Sequence, residues 1–308
     1  MENKALKATK KVVLLGLDSA GKSSIILALN REMDKISIVQ PTKSAQRRVF
    51  DFLNLTVIEH DLGGQQRYRQ DYLTNPKFLD MADIVIYVID VQNKNRVVES
   101  LNFLNAIIKR FKTIDIKPSL YVFFHKFDPV KNEKAQEELN NLSLYLEHRM
   151  TESIEYGNIL FYKTSIFDLS SIINAMSTIL LRLFPKANVL EKTIEDFAEK
   201  FKAEGIEIID NNSLIITSYY KNDQVKEILN KSTHYFLSLN DILLTSKDSS
   251  KTTNLMQIER MGKLFLFKQF SLNNEAPPYH ILLYKGDQLF DIEEFDALVN
   301  VLKGILYN

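Results

Sequence analysis

Residues 11–30 read KVVLLGLDSAGKSSIILALN, and the stretch changes character twice. Lys11–Leu15 is a short apolar run, rich in β-branched residues and bounded by glycine, the pattern of a strand buried on both faces of a parallel sheet. From Lys22 onward, Ser-Ser-Ile-Ile-Leu-Ala-Leu starts a helix. Between them lies Gly16-x-x-x-x-Gly21-Lys22-Ser23, the GxxxxGK[ST] spacing of a phosphate loop in strand–loop–helix context. Glycines let the backbone curl so that successive N–H groups face a β-phosphate, and the helix N-terminus adds a favourable dipole. The reading assigns Asp18, Ser19, Ala20, Gly21, Lys22, Ser23 and Ser24 to phosphate, with Lys22 reaching the β/γ-phosphates and the Ser23 hydroxyl on Mg²⁺.

Glycine is scarce, 9 in 308 residues, and a second pair falls in Leu55-Thr-Val-Ile-Glu-His-Asp61-Leu62-Gly63-Gly64-Gln65. An alternating strand ends at Asp61 and a D-x-G-G-Q turn follows. Asp61 is placed to hold Mg²⁺ through a water. Gly64 can bring its bare backbone N–H to a γ-phosphate, and Gln65 can orient an attacking water. Lys22, Gly64 and Gln65 are therefore the expected catalytic set.

The next strand signal, Ser119–Phe124, runs into His125-Lys126-Phe127-Asp128, in the place of an [NT]KxD motif. A carboxylate at Asp128 accepts from N1–H and N2–H₂ of guanine, donors that adenine lacks, and a site built to pair an N–H rejects analogues without it. The Lys126 stem would lie along the base plane. His125 replaces the usual Asn or Thr, and an imidazole can also donate and accept. Strand Asn158–Tyr162 leads into Lys163-Thr164-Ser165-Ile166, which resembles the TSA loop of small GTPases. That resemblance implies that Ser165 and the Ile166 N–H meet the guanine, with Phe167 over the ring.

GLDSAGKSS, the Pro41-Thr42 pair and DLGGQ resemble Arf-like small GTPases of the Ras superfamily. IVIYVIDVQ (84–92), FFHKFDP (123–129), FYKTSIFD (161–168) and a helix ending RLFPKANVLE are similar to the Rag/Gtr family. The motifs cover about residues 11–190. The resemblance implies that Thr42, 20 residues after Lys22, caps Mg²⁺ and senses the γ-phosphate, so Ser23, Thr42 and Asp61 form the expected metal set. Two positions depart from common patterns. Lys43 stands where glycine is usual, and Asp18 stands where many Ras-like proteins carry glycine.

Residues 11–185 alternate strands (11–16, 47–52, 55–61, 84–90, 119–124, 158–162) with helices (near 22–32, 96–112, 131–150, 170–184), and Pro185 marks a break. The order predicts an α/β G domain over 1–186, a mostly parallel sheet with helices on both faces. After it come a helix over Val189–Ala203, strands Ile206–Ile209 and Ser213–Tyr220, and a helix near 223–241. Antiparallel strands at Met256–Glu259, Lys263–Phe270 and Tyr279–Lys285 and a closing helix over 290–306 complete the chain. This α-β-β-α-β-β-β-α order resembles the roadblock/longin-like domain that ends Rag/Gtr proteins, which implies an α+β dimerisation and docking module over 187–308. His234 and His280 read as ordinary packed or polar residues, Tyr219 and Tyr220 as sheet core, and 246–254 and 271–278 as loops.

Composition sets outer bounds. With 45% hydrophobic and 25% charged residues, 308 residues suggest about two soluble domains at roughly 150 residues each. Lys+Arg and Asp+Glu both number 39, and phosphate-backbone binders are usually visibly basic, so nucleic acid is not an expected partner. The balance hides two halves: residues 1–186 carry 26 basic and 21 acidic residues, and 187–308 carry 13 and 18. The absence of cysteine excludes disulfides, thiolate metal sites, thiol catalysis and prenyl or palmitoyl anchors. No apolar run approaches the ~18 residues of a membrane span, the start MENKALKATKK is polar, and Glu2 replaces a lipidated glycine. Four lysines in the first eleven residues read as a solvated tail. The expectation is a cytoplasmic protein without its own membrane anchor, any membrane location coming through partners.

Together these readings predict a GTP/GDP- and Mg²⁺-dependent switch with mobile loops at 36–46 and 62–75 and slow hydrolysis. Activating and exchange factors, effectors and a homo- or heterodimer partner are expected. The alternative is a nucleotide-stabilised dimeric scaffold that barely hydrolyses, and Asp128 argues against an ATPase. Arg47, Arg48, Arg67 and Arg69 lie near the switches, and solvation is their expected role.

Overall fold

The computed structural model describes residues 8–38, 40, 42, 45–53, 55–130, 132–245, 255–271, 277–286 and 292–307. Pro41, Lys43, the start up to residue 7 and the loop 246–254 lie outside the described residues. Two compact units divide the chain, Met1–Ile172 and Ile173–Asn308.

The first unit runs β1 (Thr9–Gly16), α1 (Lys22–Leu29), β2 (Ala45–Phe52), β3 (Leu55–Leu62), α2 (Gln66–Thr74), β4 (Ile84–Asp90), α3 (Val97–Thr113), β5 (Ser119–His125), α4 (Glu133–Ser153) and β6 (Ile159–Thr164), then enters α5 (Leu169–Leu181). Its six strands lie in the order β2-β3-β1-β4-β5-β6, all parallel except β2 against β3. The near-continuous apolar runs of β1, β4 and β5 follow from burial on both faces. α3 shows the helical alternative: Val97, Leu101, Leu104, Ile108 and Phe111 are buried at i, i+4, i+7, i+11 and i+14, the stripe that packs on a sheet. The phosphate loop, the D-x-G-G-Q turn, HKFD and TSI lie at the carboxyl ends of β1, β3, β5 and β6, where parallel α/β sheets hold ligands, and Thr42 lies ahead of β2.

The sequence reading missed one helix here. α2 (QRYRQDYLT) carries a single buried residue, Tyr72, too little apolar periodicity to announce itself.

The second unit contains the rest of α5, then α6 (Ala187–Phe201), β7 (Gly205–Ile209), β8 (Ile215–Tyr220), α7 (Asp223–Thr245), β9 (Leu255–Arg260), β10 (Lys263–Phe270), β11 (Tyr279–Lys285) and α8 (Ile292–Tyr307). The five strands form an antiparallel sheet in the order β8-β7-β11-β10-β9. The α-β-β-α-β-β-β-α order expected after Pro185 is the order observed. β8 begins two residues later than Ser213 because Ser213 sits at φ 65, inside a turn in which Asp210 Oδ1 accepts the N–H groups of Asn212 and Leu214, each at 2.8 Å. The unit starts within α5, ahead of Pro185: the Ile215 N–H of β8 donates to Ser177 Oγ at 2.8 Å. His280 stacks on Phe267, His234 lies against Tyr235, and Phe236 stacks on Phe267 in the core.

Candidate functional site

The turn between β1 and α1 is built for close approach. Gly21 holds φ 98, and a Cβ there would sit 2.4 Å from His125 Cδ2. α1 begins at Lys22 without a side-chain cap hydrogen bond, so no cap side chain takes its first N–H groups. Lys22 is buried, and its ammonium donates to Gly16 O at 3.1 Å and Leu17 O at 2.8 Å. Burial pushes its pKa down to about 8, with the Asp61 carboxylate opposing the shift. The charge is retained at neutral pH and drawn close to the loop.

Three of the predicted residues, contributed by separate parts of the chain, converge beside it. Ser23 Oγ lies 2.9 Å from Thr42 Oγ1, and both hydroxyls donate to Asp61 Oδ2, at 2.5 and 3.1 Å. Asp61 Oδ1 is buried and accepts no hydrogen bond among the described residues. An ionised carboxylate oxygen in that position is costly without a partner. Two hydroxyls and a half-satisfied carboxylate are the hard oxygen donors that suit Mg²⁺, so the residues present fit such an ion.

Gly64 closes onto the same loop: a Cβ there would lie 2.1 Å from the backbone N of Asp18, so no other residue allows this approach. Asp18, Ser19, Gly21, Lys22, Ser23, Ser24, Thr42, Gly64, Gln65 and Lys126 share one cleft of about 240 Å³. Ala20 is buried on the other side of the loop. Ile36 and Gln40 also line the cleft, and no sequence motif marked them.

The strand ends at β5 and β6 form a second cluster. His125 is buried, and its Nδ1 lies 3.0 Å from Thr164 Oγ1. Burial pushes its pKa down to about 4, so the imidazole is neutral and braces Gly21 against β6. Asp128 Oδ1 accepts from Ser165 Oγ at 2.5 Å, and the Phe127 N–H donates to Thr164 O at 3.0 Å. Ser165 in turn holds the Phe167 N–H at 3.0 Å, while the Phe167 ring is exposed. Ile166 is half-buried between them.

The profile of the Gtr1/RagA G protein conserved region matches residues 11–243. The chain belongs to this family. GTP-binding protein GTR2 of Saccharomyces cerevisiae is 25% identical over 268 residues, 83% of this chain and 77% of that protein. Ras-related GTP-binding protein B of Rattus norvegicus is 25% identical over 283 residues, 79% of this chain and 70% of that protein. ADP-ribosylation factor-like protein 3 of Chlamydomonas reinhardtii is 35% identical over 139 residues, 44% of this chain and 72% of that protein. The mixture of Rag/Gtr and Arf-like motifs read from the sequence has its counterpart in these matches.

Within this Gtr1/RagA chain, two arginines do not take the solvated role expected of them. Arg48 Nε pairs with the buried Glu59 at 2.8 Å, and Arg69 of α2 pairs with Glu99 of α3 at 2.7 Å, over the Phe103 ring. Arg47 and Arg67 are exposed, as expected. No arginine lines the cleft among the described residues. Arg96 was not singled out from the sequence, yet it donates to Asp18 Oδ1 at 2.8 Å and to Glu99 Oε2 at 2.9 Å. The Arg96 hydrogen bond holds the Asp18 carboxyl below its usual pKa. Asp18, Arg96, Glu99 and Arg69 thus form one chain of ion pairs from the phosphate loop to α2. Among the described residues, no helix is long and apolar enough to cross a membrane.

Proposed function

We propose that this chain is a guanine-nucleotide switch that binds GTP–Mg²⁺ and hydrolyses it slowly to GDP. The observation that carries the reading is the convergence of Ser23, Thr42 and Asp61 beside Lys22, with one buried Asp61 oxygen left open. Backbone N–H groups of residues 18–24 and the Lys22 ammonium hold the phosphates. Ser23, Thr42 and, through a water, Asp61 would hold a Mg²⁺ ion, which would supply neutralisation of phosphate charge. Gly64 offers its N–H to the γ-phosphate. Gln65, at the N-cap of α2 and lining the cleft, orients a water toward the γ-phosphorus. A bond forms from the water oxygen to phosphorus, the bond to the β–γ bridging oxygen breaks, GDP leaves with that electron pair, and the water's proton ends on the released phosphate. With no arginine in the cleft among the described residues, turnover is slow until a partner supplies the missing charge.

At the base end, Asp128 reads N1–H and N2–H₂ of guanine, the Lys126 stem covers the ring face, and the Ile166 N–H meets O6. His125 and Ser165 hold that loop in place. Loss of the γ-phosphate releases Thr42 and Gly64, and with them the segments 36–46 and 62–75, the second of which carries α2 rather than being a loop throughout.

The G domain over 1–186 acts with a roadblock/longin-like module over 187–308, which pairs with a second such module in a homo- or heterodimer. Supporting this, α7 leaves Tyr235, Leu239 and Ile242 exposed at i, i+4 and i+7, with Leu243 and Leu244 beside them. Any membrane location of this cytoplasmic switch comes through partners, as do its activating and exchange factors.

Gln65→Leu tests the hydrolytic part. Single-turnover hydrolysis should slow at least about 10-fold while GTP affinity is retained; unchanged turnover removes Gln65 from the mechanism. Tight GTP binding by the unaltered chain with no measurable turnover favours the scaffold reading.

A further inference from the structure

We propose that Gln92 is a positioning residue for base recognition: its amide, delivered by Asp90–Val91–Gln92 at the end of β4, orients the Asp128 carboxylate toward the base. The inference rests on the guanine-nucleotide reading above and deepens it. Residues 84–92 carry part of the Rag/Gtr resemblance, yet nothing in the phosphate, metal or base assignments uses them.

The geometry gives them a task. Each of three consecutive residues grips the end of β5 or the loop that follows it. Asp90 Oδ2 takes the Lys126 ammonium at 2.7 Å, and the Val91 N–H donates to His125 O at 3.1 Å. Gln92 Nε2 donates both to Lys126 O at 3.0 Å and to Asp128 Oδ2 at 2.8 Å. Lys126 sits at φ 60, a left-handed conformation uncommon outside glycine, and the bond to its carbonyl secures that peptide. Gln92 itself is exposed, so burial does not account for its placement.

The acceptor count points the same way. An ionised carboxylate offers about four lone-pair sites, two on each oxygen. Ser165 takes one on Oδ1 and Gln92 takes one on Oδ2. Among the described residues one site remains on each oxygen, which is what the N1–H and N2–H₂ of guanine require. Held from both sides, the carboxylate keeps its plane without the loss of freedom that a free rotor would suffer on binding.

The test is the affinity of the full chain, with Mg²⁺, for GDP and for inosine diphosphate, which lacks the 2-amino group. Gln92→Ala should weaken GDP about 10-fold, the scale of a hydrogen bond to a charged group. It should also shrink the preference for GDP over inosine diphosphate at least about 3-fold, because the lost order falls on two Asp128 contacts in GDP and on one, N1–H, in inosine diphosphate. Gln92→Glu keeps the length, removes both donors and sets a second negative charge against Asp128, and should weaken GDP further. Equal weakening of both nucleotides, with or without a lowered Tm, or unchanged GDP affinity in both variants, overturns the inference. If the unaltered chain binds ADP as tightly as GDP, the guanine reading fails and takes this one with it. A retained GDP preference in the unaltered chain with no change in either variant removes Gln92 alone.

Discussion

Asp61 and Glu207 are both buried carboxylates on strands, and their surroundings differ in one respect. Glu207 on β7 accepts from the Tyr220 hydroxyl at 2.7 Å on one oxygen and from the Thr233 hydroxyl on the other. That cluster closes on itself and leaves neither oxygen open. Asp61 on β3 gathers two hydroxyls on Oδ2 and leaves Oδ1 open among the described residues, beside a buried ammonium that donates to two loop carbonyls. A closed polar cluster ties elements together; an open one keeps part of its desolvation cost unrecovered until a ligand arrives. The contrast separates a structural polar core in the second unit from a binding site in the first, although both are built from buried acids and hydroxyls.

Removing the open cluster's charge should produce the largest effect. Lys22→Ala is expected to weaken GTP binding about 100-fold or more, the cost of truncating one side of a buried charge contact, while Tm changes little; equilibrium binding and thermal melting check this. The closed cluster should answer in the opposite way. Glu207→Ala leaves the hydroxyls of Tyr220 and Thr233 without this acceptor and should cost about 2–4 kcal/mol of stability, with nucleotide affinity unchanged.

The two units also predict opposite pH responses. Burial holds the Glu207 pKa above the usual carboxylate value, so its contribution to stability is full below about 4.5 and is lost as pH rises through the higher folded value. Glu207→Gln should therefore gain in Tm over the unaltered chain as pH rises from 5 to 8. His125 runs the other way, its pKa held down at about 4 by burial. Its contribution is present above the unfolded value near 6.5 and is lost as pH falls toward 4. His125→Asn should reduce that acid loss, by about 2 kcal/mol at pH 4.5, as denaturant titrations across pH would show. The smallest effect should come from Arg96→Ala. Its ion pairs with Asp18 and Glu99 are partly exposed, and such pairs contribute about 1 kcal/mol or less. Nucleotide release should change no more than about 5-fold.

Much of the first unit could be read from the sequence because its chemistry demands particular residue types at fixed spacing. A backbone that approaches phosphate, as proposed, needs glycine at 21 and 64, and a parallel sheet buried on both faces writes apolar runs. Gln92 and Arg96 escaped notice because their partners lie 36 and 78 residues away, across strand ends that only the folded sheet brings together. α2 was missed because one ion pair and a few scattered side chains, the buried Tyr72 with the partly buried Tyr68 and Leu73, hold it rather than a broad apolar stripe. The Glu207 cluster joins residues 13 and 26 apart with no motif, so the sequence shows only a charged residue in a strand.

The most direct measurement is competition for the cleft by GTP, GDP and ATP in the presence of Mg²⁺, read by displacement of a fluorescent guanine nucleotide. GTP and GDP should compete at least about 1,000-fold better than ATP, because Asp128 would face an adenine with neither donor it requires. Equal competition by ATP, or no binding of any nucleotide, would contradict the account.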